Sequence, residues 1–210
     1  MKTFLDLENW NRKEHFKFFC TFDEPFFGVT ANIDCTIAYK KCKQEKLSFY
    51  SFYMHKILCA TNQIENFKYR VLNQQVAVHQ RIDVSATVLR ADNTFGFSLI
   101  EFHTDFEIFQ KNVSAEIARV QATTGLFTRE FSDDNVIHFS ALPWTNFTSL
   151  SHARSFKLAD SCPKISVGKV TLSGNETRTM PISVHVHHGL MDGYHVGKFF
   201  ELLQMLLNQK

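Results

Sequence analysis

Two hydrophobic periods interleave along the whole chain, and their alternation is the first clue to its architecture. Period-two stretches rich in Val, Ile, Thr and Phe predict strands over Phe26 to Cys35, Asp83 to Arg90, Thr94 to Glu101, Val136 to Leu142, Ile165 to Leu172 and Thr179 to His188. Tyr69 to Leu72 and Gln75 to His79 predict a hairpin, and Ser173-Gly174-Asn175 a turn between the last two strands. Helical spacing predicts helices over Leu7 to Phe19, from Ser48 through Phe49, Phe52, Tyr53, Ile57 and Ala60, and over Phe106 to Gln121. The final helix is the clearest: Val196, Phe199, Phe200, Leu203, Leu206 and Leu207 fall on one face of Gly193 to Leu207.

Strands and helices mixed in this way predict an α/β two-layer sandwich, a mixed and largely antiparallel sheet covered by helices. No internal repeat and no Pro/Gly/Ser linker interrupts the pattern, so residues 1–210 read as a single domain. Composition sharpens one point: 22 Phe stand against 5 Tyr and 2 Trp, aromatic carbon that must be hidden in a core, an interface or an apolar pocket. Charge removes two classes of partner. A formal net charge of +2, evenly spread, does not suit nucleic acid or an anionic membrane surface. No apolar run is long enough to span a membrane, and the acids Asp6 and Glu8 stand where a signal peptide needs apolar residues, so a cytoplasmic protein is expected. Five cysteines without a C-x-x-C pair predict reduced thiols, not a disulfide framework or a zinc ribbon. No G-x-G pair exists, which removes the dinucleotide fingerprint and the phosphate-cradling loop.

The candidate chemistry lies at the end of the last strand. Ile182, Val184, Val186 and His188 alternate with Ser183, His185 and His187, and the chain then turns through Gly189-Leu190-Met191-Asp192 into the final helix. His188 thus ends a buried strand on its apolar face, a place that favours the neutral imidazole, which is a base. Asp192, in the turn, can pair with a basic side chain. A metal reading of His185, His187 and Asp192 fails on spacing: the acid follows the second His by five residues where the metallohydrolase run needs two. A serine-hydrolase reading lacks its G-x-S-x-G elbow.

His187-His188-Gly189-Leu190-Met191-Asp192-Gly193 resembles the H-H-x-x-x-D-G signature of CoA-dependent acyltransferases. Two further stretches, Asn9-Trp10-Asn11-Arg12-Lys13-Glu14-His15-Phe16 and Ser140-Ala141-Leu142-Pro143-Trp144-Thr145-Asn146-Phe147-Thr148-Ser149, together with Pro181 to Val186, resemble the chloramphenicol O-acetyltransferase family in order and spacing over essentially the whole chain. The resemblance implies acetyl transfer from acetyl-CoA to the primary hydroxyl of chloramphenicol, without a metal. It implies His188 as general base and Ser149 as hydrogen-bond donor to the oxyanion, with Arg12 and Asp192 as an ion pair bracing the histidine turn. Ser166 stands where many members carry a Thr near the oxyanion, and Lys169 where a CoA phosphate could be met; Val170 replaces a frequent aromatic there. Phe19, Phe27, Phe95 and Phe97 are the implied lining of the acceptor pocket. The family's trimer implies a homotrimer with each site between subunits. Rival readings are a related O-acyltransferase for another small apolar alcohol, the lipoamide acyltransferase core, which usually carries H-R-x-x-D-G, and a ligand-binding protein on the same scaffold.

Overall fold

In the computed structural model, which describes residues 2–130, 133–156 and 160–209, ten strands and five α-helices interleave. The strands are β1 (Lys2–Phe4), β2 (Phe26–Asp34), β3 (Tyr69–Leu72), β4 (Gln75–His79), β5 (Asp83–Leu89), β6 (Phe95–Phe97), β7 (Val136–Leu142), β8 (Lys164–Gly168), β9 (Thr171–Leu172) and β10 (Arg178–His187). The helices are α1 (Lys13–Phe19), α2 (Thr36–Gln44), α3 (Phe49–Gln63), α4 (Phe106–Gln121) and α5 (Gly193–Leu207). The large sheet has the order β2-β10-β8-β7-β5-β6, with β9 beside β10. It is mixed: β5, β7 and β8 run parallel, and the other pairings are antiparallel.

Alternation along each central strand sends its apolar side chains to one face. Val84, Ala86, Ile137, Phe139, Ile165, Val167, Ile182, Val184 and Val186 pack there with Met54, Ile57 and Leu58 of α3, Phe109 of α4, and Phe199 and Leu203 of α5. The opposite face is polar: Ser85, His138, Lys164, His185 and Gly28 form one cross-strand row, and Ser140, Ser166, Ser183 and Thr30 the next. Gly28 is dictated by this row, since a Cβ there would lie 2.3 Å from His185 Nε2.

A small antiparallel sheet, β1-β4-β3, stands apart and has its own core of Phe16, Tyr69, Val76 and Leu190, with Trp10 packed against it. The β3–β4 hairpin turns through Asn73 and Gln74, both at positive φ, the backbone of a type I′ turn. Arg70 joins the two sheets from a fully buried position, donating to the carbonyls of Phe67, Tyr69, Asp134 and Val136. All five cysteines are free. Among the described residues no helix is long and apolar enough to cross a membrane.

The elements depart from the sequence pattern in several places, among them the unpredicted short strand β1. Leu7 to Arg12 is not helical, because Asp6 turns the chain by accepting from the Glu8 N–H and the Asn9 side chain. The helix α2 has no strong apolar stripe; only Ala38 and Cys42, four residues apart, are buried. The strand expected over Thr94 to Glu101 shrinks to Phe95–Phe97, where the Ser98 hydroxyl binds the backbone of Ala86 and interrupts the ladder. The strand expected over Ile165 to Leu172 divides at Lys169, whose N–H donates to Thr145 instead of to a neighbouring strand.

Candidate active site

The last paired residue of β10 is His187, opposite Phe26, and His188 follows at the mouth of the turn. Its N–H donates to the Pro25 carbonyl at 2.8 Å, which extends the strand pairing by one rung and fixes the backbone under the imidazole. The ring is half-buried and held from two sides: Phe19 of α1 stacks on it at 3.9 Å and 6° between planes, and Phe27 of β2 lies 4.5 Å away, tilted. Nδ1 is enclosed and has no partner among the described residues. Nε2 is therefore the nitrogen that can meet a substrate hydroxyl.

The turn is braced by charge. Arg12 donates from Nη1 to Asp192 Oδ2 at 2.6 Å and reaches the His188 carbonyl with Nη2 at 3.4 Å. The other oxygen of Asp192 caps α5: it accepts from the Tyr194 N–H at 3.1 Å and lies 2.9 Å from His195 Nδ1. Burial alone would raise the Asp192 carboxyl, but Arg12 and His195 outweigh it and hold the group at about 2. Trp10 and Phe16, flanking Arg12, pack in the small core with Leu190 of the turn itself, so the two motifs at opposite ends of the sequence form one unit.

A pH dependence follows from this carboxylate. Its folded value lies below the ordinary range near about 4, so its support is complete above that range and is lost as pH falls toward 2. Urea midpoints of wild type and Asp192→Asn are expected to differ at pH 5 and to converge between about pH 4 and pH 2. A constant gap across that window would refute the assignment.

The other side chains singled out in the sequence are dispersed. Ser149 is exposed in the irregular segment after β7, and its hydroxyl makes no hydrogen bond among the described residues. Ser166 is fully buried on β8 between Ser140 and Ser183, with an unpartnered Oγ. Lys169 is exposed. Phe95 and Phe97 sit on β6, four strand spacings from β10, about 19 Å at ordinary sheet geometry, so one chain does not bring them to His188. Phe97 instead lines a cavity of about 420 Å³ on the polar face, with Thr87, Ser140, His152 and Lys164.

The sequence reading missed a charged cluster beside this cavity. Arg154 pairs with Glu24 and lies over the Phe26 ring at 3.8 Å; Lys164 lies 4.6 Å from the same ring and donates to Asp160 at 2.5 Å. Burial pushes the imidazoles of His152 and His187 down to about 4, with help from His185 and Arg154 respectively. His138, Asp160 and Cys162 come close enough to hold a metal ion, but Lys164 and Arg154 already flank that carboxylate and oppose a further cation. A second group, His79 with Asp133 and Asp134, is engaged by Lys2. The only signal for the Arg154 cluster in the sequence is a basic residue close behind the Ser149 motif.

The chain is similar to known proteins over its whole length. A family model described as chloramphenicol acetyltransferase matches residues 1–204. Chloramphenicol acetyltransferase 3 of Escherichia coli is 30% identical over 209 residues, covering 99% of this chain and 98% of that protein. A chloramphenicol acetyltransferase of Bacillus pumilus is 28% identical, covering 95% and 91%. Among solved structures, a chloramphenicol acetyltransferase superposes with a TM-score of 0.87 at 27% identity, covering 99% of this chain and all of that one. A probable dihydrolipoamide acetyltransferase of Listeria monocytogenes, with a TM-score of 0.64 at 12% identity and coverage of 92% and 88%, shares the fold.

Proposed function

Because the chain belongs to the chloramphenicol acetyltransferase family, we propose that it transfers the acetyl group of acetyl-CoA to the primary hydroxyl of chloramphenicol and so inactivates the antibiotic. The observation that carries the mechanism is the imidazole of His188, clamped between Phe19 and Phe27 with Nδ1 closed off. Nε2 takes the proton of the acceptor hydroxyl as that oxygen attacks the thioester carbonyl carbon. The carbonyl oxygen becomes an oxyanion, and the Ser149 hydroxyl donates to it. Collapse of the tetrahedral intermediate expels the CoA sulfur, which recovers the proton from the imidazolium. Base and both substrates meet in one complex, so no acyl-enzyme forms.

Arg12 and Asp192 hold the turn that carries the base, and Lys169, an exposed cation, meets a CoA phosphate in this reading. Ser166, with its free buried hydroxyl, supports the oxyanion side of the site. The acceptor pocket is built between subunits of a homotrimer. Phe19 and Phe27 flank His188 from one chain, while Phe95 and Phe97 come from the neighbour, because within a chain they lie at the far side of the sheet. Exposed Phe95 and Phe127 along that edge are apolar area suited to such an interface. The enzyme works without a metal, as a single domain over residues 1–210, in the cytoplasm. Incubation with acetyl-CoA and chloramphenicol, followed by NMR of the product, is expected to give the ester at the primary hydroxyl; recovery of unmodified antibiotic would refute the reading.

A further inference from the structure

We infer that Arg154 is a positioning residue for this reaction, clamping the segment that carries Ser149 onto the turn that supports His188. The inference rests on the role proposed for Ser149. A donor to an oxyanion stabilises the transition state only if it is held in place beforehand, within roughly half an ångström. Ser149 has no regular structure to hold it: residues 143–156 form neither helix nor strand, and its own hydroxyl is unengaged. Before Ser149 the segment is tied at Thr145, which accepts from the Lys169 N–H; after it, the ties are side chains further along.

Arg154, five residues on, leaves only 8% of its side chain exposed. Its guanidinium pairs with Glu24, lies over Phe26 with Cζ 3.8 Å from the ring centroid, and brings Nε to 4.0 Å from Asp160. Both main partners belong to the short run Glu24-Pro25-Phe26. Pro25 accepts the backbone N–H of His188, Phe26 pairs with His187, and Glu24 accepts from the Phe26 N–H at 3.0 Å. One cation therefore ties the Ser149 segment to the backbone platform beneath the histidine turn. The edge-on contact of His152 with His185 at 4.8 Å is a second, weaker tether on the same segment. A planar guanidinium serves both the carboxylate and the ring face at once, which an ammonium does less well.

A double-mutant cycle tests this. Arg154→Gln is expected to lower kcat at least about tenfold while leaving both KM values within about twofold, because an oxyanion contact is made only in the transition state. Arg154→Lys is expected to recover part of the loss. In a Ser149→Ala background, Arg154→Gln is expected to change kcat by less than about twofold. If Arg154→Gln does not fold, the same cycle is run with Arg154→Lys. An equal fold-loss in both backgrounds, or a rise in KM with kcat unchanged, overturns the inference while the Ser149 role stands. A Ser149→Ala enzyme with wild-type kcat overturns the Ser149 role itself and the inference with it.

Discussion

Replacing His188 with alanine is expected to lower kcat by between about a hundredfold and ten-thousandfold, the range for loss of a positioned general base. The acceptor hydroxyl is a poor nucleophile while it keeps its proton, and none of the other imidazoles near the turn can substitute. His187 has its Nδ1 committed to the Gly189 N–H at 3.2 Å and is buried. His195 lies against Asp192. KM for the acceptor is expected to change far less, since the proton moves only as the new bond forms. The fold should survive, because His188 is half-buried, its ring partners are Phe19 and Phe27, and its backbone contact to Pro25 is retained. Steady-state kinetics of folded His188→Ala decide the matter: kcat within about tenfold of wild type would remove His188 from the role of base.

Ser149→Ala carries the second largest expected effect, a loss of about a hundredfold to a thousandfold in kcat, the usual cost of deleting one oxyanion donor. Its signature is selectivity. The hydroxyl makes no hydrogen bond within the chain and the residue is exposed, so its removal leaves no buried group unsatisfied and thermal stability should be unchanged. Ground-state binding of acetyl-CoA and acceptor should likewise be preserved, because charge on the carbonyl oxygen appears only after attack. Equal losses in binding and turnover would make Ser149 a binding contact instead.

The parts of the fold legible in the sequence are those where one apolar face meets one core. In α5, Phe199, Leu203 and Leu207 recur at helical spacing because they press on the sheet, and β10 alternates cleanly because one face is core. The helix α2 escaped because it buries only Ala38 and Cys42, too little for a periodic signal. The Phe excess divides the same way: Phe67, Phe109, Phe139 and Phe199 are fully buried core, whereas Phe18, Phe22, Phe95, Phe127 and Phe156 remain exposed on a single chain.

The site was legible where its chemistry coincides with a compact motif. Arg12 and Asp192 are 180 residues apart, yet each lies within a short pattern at its own end of the chain. The Arg154 cluster was not legible, since Glu24 and Arg154 are joined across 130 residues by an ion pair that leaves no periodicity in either segment. The separation of Phe97 from His188 likewise depends on strand order, which alternation alone does not encode.

The central claim is that chloramphenicol is the acetyl acceptor of this chain, and it is tested most directly by the release of free CoA thiol. With wild-type protein and acetyl-CoA, thiol release is expected to be slow until chloramphenicol is added, then to rise in proportion to enzyme and to saturate with the antibiotic. Thiol release that chloramphenicol does not accelerate would contradict the account.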